Sequence, residues 1–557
     1  MGSEARRAGR GPAVAGAVLV VVAGLIASGC SSSISSSSSS SALTCPSKRG
    51  AAVTGTAPAA RGRPAGGWAQ PGADLASTRY VASAITSADV SKLGVAWTVP
   101  LTIPTTHTDG AYAATPVIVN GVVYVQDLES NVYAISLATG KVLWTHEYNS
   151  PNGGPDGVNV AGGAVYAATA KAAVALDAAT GAQLWSRTLI RNDHEGIAMA
   201  PGYDKGTVYV STVPANVTGQ YLPGGEGILW ALNARTGAPE WSWDQVQNLW
   251  GNPGVNSGGG LWYTPSFDAQ GNIYLGVANP GPLFGTESYP LGSSRPGPDL
   301  YTDSVVKLSP AGKLLWYYQL TPHDLYDWDL QNPPVLTTAN GRQVVIDGGK
   351  AGIMIELDAQ TGALLWQRPV GGHDGHEHDG LLTEHATSAS PDPLPAKFCL
   401  EPSIYGGILT QLASNGAVTF AAVNDLALPA SPTGITGSLT SRIQAIGNAV
   451  GEMVAVNQDT GTIVWDTPLP SSPYGAAAVT NDVVFTTTFK GYLYALDAST
   501  GAILFTTPMS AGSNAPVAVD GDYVIAGAGA APSTTQRDMI IAYKLGATGK
   551  LPDTVGS

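Results

Sequence analysis

At 557 residues the chain exceeds what one simple core covers, so it needs several domains or a repeat architecture. Its 69 glycines, 39 prolines and 12 % charged residues suit many short strands and tight turns. A net charge of −14 without a basic stretch argues against nucleic acid as a partner, and the one apolar run approaching a membrane span lies at the N-terminus.

Arg6, Arg7 and Arg10 precede an apolar run from about Ala13 to Ile26, and small residues lead from it to Cys30. That order of charged, hydrophobic and cleavable regions is an export signal. The stretch LIASGC resembles the lipobox of bacterial lipoproteins, which implies lipidation of Cys30 and a membrane anchor outside the cytoplasm. Ala27 departs from the Leu usual in that motif. Ser31 to Ser41 is almost all serine, a tether composition, and residues up to about Gly66 read as disordered. Cys45 and Cys399 remain; an exported chain can keep a disulfide, and pairing or two separate thiols are both open.

From there one unit recurs: an apolar strand, Asp or Asn, Thr-Gly, a few residues, then Trp. It reads YAISLATGKVLW to Trp144, VALDAATGAQLW to Trp185 and WALNARTGAPEW to Trp241. It continues as VVKLSPAGKLLW to Trp316, IELDAQTGALLW to Trp366, VAVNQDTGTIVW to Trp465 and YALDASTGAILF to Phe505. Glycine accepts the positive φ of a hairpin turn, and the aromatic sits where it can pack between neighbouring sheets. Each unit is a small antiparallel sheet that cannot bury its faces alone, so the units should pack radially as a β-propeller. Seven copies and an eighth assembled from the termini predict an all-β, eight-bladed propeller, with seven blades as the alternative count. The closing sheet would pair KLGVAWTVPL with DYVIAGAG and MIIAYKLG. The wide gap from Trp366 to Trp465 reads as long loops, not an extra blade. The expected boundaries are a signal peptide over 1–29, a tether over 30–66, a propeller over 67–546 and a tail over 547–557.

One loop carries unusual chemistry. WYYQLTPHDLYDWDLQN, Trp316 to Asn332, holds Asp324, Asp327 and Asp329 between a Thr-Pro and an Asn-Pro pair. Carboxylates this close repel one another if buried, and a bound cation removes that problem. An exposed acidic turn is the plain alternative.

These repeats resemble those of the pyrroloquinoline-quinone (PQQ) dehydrogenases, the methanol and alcohol dehydrogenase family, over about Trp68 to Gly546. The same sheet unit also occurs in non-enzymatic propellers similar to the outer-membrane assembly lipoprotein. Four segments between the repeats carry the closer likeness. GGGLWYTPSFD implies that Trp262 stacks under a quinone ring, and YLGVANPGPLFG implies that Asn279 is a metal ligand. WYYQLTPHDLYDWD implies that Asp327 is the catalytic base and a metal ligand. It also implies that Asp329 marks lanthanide use over calcium, since a trivalent ion favours one more hard oxygen. GGKAGIMIELD implies that Lys350 hydrogen-bonds the quinone oxygens.

The resemblance implies an oxidoreductase that uses PQQ with a calcium or lanthanide ion to oxidise a small alcohol or polyol. No CxxCH haem motif occurs, so electrons would pass to an external acceptor such as a c-type cytochrome. The alternative is a non-catalytic propeller lipoprotein acting as a scaffold or ligand-binding protein. Two departures favour it: Ala113 stands where the family has Glu, and Asp156 where it has Arg. The family's metal-binding Glu aligns with Glu226 or Asn216, depending on the anchor strand. GGHDGHEHDG, with His373, His376 and His378, reads as a solvated Gly-rich loop, with a transition-metal site or a lid as alternatives.

Overall fold

Every repeat folds as an antiparallel sheet. In the first, Val117–Val119, Val122–Gln126, Val132–Ser136 and Val142–His146 lie side by side in chain order. The inner strands are buried along their length, while Val142–His146 is half exposed, as expected of the outer edge of a radial arrangement. The computed structural model describes residues 43–50, 52–102, 110–217, 220–390, 393–530 and 537–552. Among them are eight sheets of four or five strands. The described residues belong to one unit, Leu43–Ser557. Cys30 and the expected signal segment lie outside them, and no described helix is long and apolar enough to cross a membrane.

The closing sheet joins the two ends of the repeat region. Leu93–Pro100 pairs antiparallel with Met539–Leu545, which pairs with Tyr523–Ala528. One sheet thus takes strands from both ends of the repeat region and ties them together by hydrogen bonds.

The Trp of each repeat docks on the next sheet. Trp144 Nε1 donates to Ala178 O at 3.1 Å, Trp185 Nε1 to Ala234 O at 2.9 Å, and Trp465 Nε1 to Ala498 O at 3.1 Å. Each ring lies against the glycine of the following turn. A Cβ on Gly181 would fall 2.6 Å from the Trp144 ring, and one on Gly237 2.6 Å from the Trp185 ring. These glycines are therefore needed twice, for a positive φ and for the missing Cβ. Trp366 follows the same rule across the long gap: its Nε1 donates to Gln458 O at 2.9 Å, and its ring covers Gly461. Among the described residues no further repeat sheet intervenes there. The intervening chain forms loops, a small sheet of Phe398–Leu400, Leu428–Ser431 and Gly434–Ile435, and the helix Leu439–Asn448.

The segment before residue 67, expected as a free tether, is fixed from Leu43 onward. Cys45 pairs with Cys399. Lys48 N–H donates to Glu401 Oε1 at 2.7 Å, Asp466 N–H to Val53 O at 2.9 Å, and Ala57 N–H to Ser499 O at 2.7 Å. The disulfide pins one end of a strap whose backbone then finds partners along the sheets.

Candidate active site

The acidic loop is built by its first aspartate. Asp324 Oδ1 accepts Tyr326 N–H and Oδ2 accepts Trp328 N–H, both at 2.8 Å. Arg295 Nη2 holds Asp324 O at 2.7 Å, and Trp328 Nε1 reaches Pro402 O at 3.0 Å. Asp324 is thus a buried organiser of the turn. Within that turn Asp327 adopts φ +62°, and Asp329 is fully enclosed.

Asp327 and Asp329 converge on one ammonium. Lys350 Nζ lies 2.9 Å from Asp327 Oδ2 and 2.5 Å from Asp329 Oδ2. The backbones meet as well: Lys350 N–H donates to Asp329 O at 3.0 Å. A Cβ on Gly349 would fall 2.1 Å from Asp329 O, so only glycine permits this approach. Asn279 joins from the other side: its N–H donates to Asp329 Oδ1 at 2.9 Å. Its own Oδ1 accepts from Tyr221 OH at 3.0 Å.

Charge at this place is unbalanced toward negative. Burial pushes the Asp327 carboxyl up; Lys350 pulls it down and Asp329 pushes it up again, leaving it above the usual range. Burial alone would discharge Lys350, but the two carboxylates prevail and hold it protonated. Asp303 is fully buried, neither carboxylate oxygen has a hydrogen-bond partner, and burial with Asp324 and Asp329 pushes it far up. Burial and four aspartates likewise raise the Tyr221 phenol. Tyr221 and Asp303 were not singled out from sequence. Asp303 lies in a quoted segment, RPGPDLYTDSVVKL, but an isolated Asp there gives no signal of burial.

Other expected residues separate. Glu226 does not join the cluster; its Oε2 meets Arg191 Nη2 at 2.5 Å, beside Glu195 on the same guanidinium. The Asn216 side chain lies outside the described residues. Trp262 is half-buried, following the Gly258–Gly260 run, and its ring meets no other aromatic ring among the described residues. Asp156 is buried with both carboxylate oxygens unpartnered, and burial next to Asp127 pushes it far up; Ala113 is buried too.

The three histidines do not share a site. His373 Nδ1 meets Glu377 Oε1 at 2.7 Å, and His376 Nδ1 meets Asp379 Oδ2 at 2.6 Å. Tyr326 OH donates to the same Asp379 oxygen at 2.6 Å, so this loop packs on the acidic turn and is not free in solvent. His378 opens the short helix Asp379–Thr383 and lines a cavity of about 100 Å³ with His323 and Trp328. A larger cavity, about 510 Å³, is lined by Arg61, Tyr80 and Thr338 among others, away from the acidic cluster.

The residues fit a hard cation. Two carboxylates flank a position now held by an ammonium, Asn279 binds one of them through its backbone N–H, and the neighbouring acids exceed the cations. Among the described residues no three His, Cys, Asp or Glu side chains already meet as a metal site. The fit to a quinone is one-sided. Trp262 offers a half-buried ring and Lys350 a donor, whereas Asp156 offers no cation and Ala113 no carboxylate in the expected places.

The family described as "Glucose/ethanol/alcohol dehydrogenase, beta-propeller domain" matches residues 68–171 and 198–373, together half of the chain. The chain belongs to the PQQ dehydrogenase propeller family. A second propeller family, "Outer membrane protein assembly factor BamB", matches residues 128–258 and 429–543. The family member "Quinohemoprotein alcohol dehydrogenase" of Comamonas testosteroni is 30 % identical over 355 residues, 56 % of this chain and 48 % of that protein. The chain therefore spans about half the length of that curated relative. "Putative dehydrogenase XoxF" of Paracoccus denitrificans is 28 % identical over 524 residues, covering 80 % and 83 % of the two chains. Among solved structures, "Europium-containing methanol dehydrogenase" superposes with a TM-score of 0.68 at 19 % identity, over 86 % of this chain and 98 % of that one. At that identity the likeness speaks for the fold alone.

Proposed function

We propose that the chain is an extracytoplasmic quinoprotein oxidoreductase on an eight-bladed propeller, oxidising a small alcohol or polyol and passing electrons to an external acceptor such as a c-type cytochrome. Lipidation at Cys30 would anchor it to the membrane. The observation that carries the reading is the convergence of Asp327 and Asp329 on a single cationic position, with Asn279 N–H bound to Asp329.

When bound, PQQ and a calcium or lanthanide ion would supply an electrophilic carbonyl and a Lewis acid. Asn279, Asp327 and Asp329 would hold the ion, Trp262 would support the flat ring, and Lys350 would donate a hydrogen bond to the ring's edge. Asp327 is the least enclosed of the loop's aspartates, with its side chain 14 % exposed. Its carboxylate would accept the proton of the substrate hydroxyl. Asp329 would be held in place by Asn279 N–H.

A second reading has its own observation. Asp156, buried and unpartnered, is a poor neighbour for a polycarboxylate cofactor. It favours a propeller that retains the cation site and serves as a scaffold or binds another ligand.

The test is uptake of PQQ by the purified chain with calcium or with lanthanum, read as quinone absorbance retained after gel filtration, beside dye reduction with simple alcohols. Retention and turnover lost in Asp327→Asn support the enzyme. No retention with either ion leaves the second reading.

A further inference from the structure

We infer that Asp303 and Tyr221, and not Glu226, complete the cation site beside Asp327 and Asp329. This rests on the cation chemistry proposed above.

Asp303 is fully buried, and both its carboxylate oxygens lack a hydrogen-bond partner. Such a group is costly to enclose unless something neutralises it. Its backbone fixes where it stands. Asp303 N–H faces Ala278 O at 3.4 Å, and the next residue, Asn279, binds Asp329 Oδ1 through its own N–H. Asp303 O accepts Leu320 N–H at 2.9 Å, at the entry to the acidic loop. The residue's main chain is therefore tied both to the segment that carries Asn279 and to the entry of the loop that carries Asp329. The residue sits at φ +50°, in the left-handed region, which Asp tolerates better than most side chains.

Tyr221 closes the remaining side. Its hydroxyl donates to Asn279 Oδ1, the oxygen assigned above to the ion. Glu226 lies five residues further along and is spent on Arg191. Lys350 currently supplies one positive charge to Asp327 and Asp329. An ion of two or three charges in its place would draw in a further carboxylate, and Asp303 is the unpartnered one at hand. The phenol oxygen of Tyr221 would then be a neutral ligand, or a hydrogen-bonding group orienting Asn279.

The experiment is a terbium titration of the chelator-treated chain, read as emission sensitised by its aromatic residues, with melting curves taken with and without the ion. The expected result is saturable emission in the parent chain. Asp303→Asn should weaken binding about tenfold or more, Tyr221→Phe should weaken it and dim the emission, and Glu226→Gln should leave it unchanged. Without ion, Asp303→Asn should melt at or above the parent, because a buried acid without a hydrogen-bond partner has gone; with ion, the parent's upward shift should be largely absent. Parent-like affinity in Asp303→Asn overturns the assignment, as does a lower ion-free melting point, which marks a structural acid. Loss in Glu226→Gln alone returns the role to Glu226. No saturable emission in the parent removes the cation chemistry of the proposed function and this inference with it.

Discussion

Lys350 Nζ lies 2.5 Å from Asp329 Oδ2, inside the protein, where Asp329 has no exposure. An ion pair this enclosed gives specificity more than net stability, but removing one partner leaves a buried charge uncompensated. Lys350→Met should therefore lower unfolding free energy by about 3–5 kcal/mol. Lanthanum should restore part of that loss, since it brings positive charge to the same carboxylates. Urea denaturation with and without the ion checks both statements; equal losses in the two conditions would show that no ion replaces the ammonium.

Trp366 and Gly461 test the repeat rule where sequence spacing is widest. Trp366→Ala should cost about 3 kcal/mol, the low end for a buried Trp because the ring is partly exposed. Gly461→Ala places a Cβ 2.7 Å from that ring at φ +65°, and should cost about 1–3 kcal/mol. Combining the two changes should cost less than their sum, since the clash needs the ring.

The buried acids Asp425, Glu452 and Asp466 predict a pH slope. Burial, with Asp425 and Asp466 nearby, raises Glu452 above its ordinary value of 4.5. Burial likewise raises Asp425 and Asp466. Arg49 tempers these two aspartates, and Gly371 and Gly372 N–H groups temper Glu452 and Asp425. The folded chain then holds protons that the unfolded chain has released, so stability falls as pH rises from about 4.5 through the raised values. Melting temperatures should decline across that window, and Glu452→Gln should flatten the decline. A parent curve that rises with pH there would contradict the assignment.

The Cys45–Cys399 bridge closes a loop of 354 residues. The chain-entropy account gives about 5 kcal/mol or more for such a loop. Reduction, or Cys399→Ser, should lower the melting temperature and release the strap around Lys48 to protease, which limited digestion would reveal.

The sequence by itself determined the architecture. A Thr-Gly turn followed by Trp repeats because each ring needs a bare glycine in the next sheet, and that need is local enough to be written as a motif. The joining of the termini was legible for the same reason, since LGVAWTVPL alternates as a strand with no local partner. The family likeness of their short segments put Asn279, Asp327 and Asp329 on an ion and Lys350 on a quinone; it did not put the Lys350 ammonium between the two carboxylates. The tertiary structure alone decided the rest. Nothing local distinguishes Glu226 on Arg191 from a glutamate facing the axis, because the difference is which way one loop turns. Asp303 and Tyr221 become notable only once burial removes their water and leaves one unpartnered and the other beside Asn279. The strap over residues 43–66 reads as a linker because its contacts lie hundreds of residues away, and composition carries no record of them.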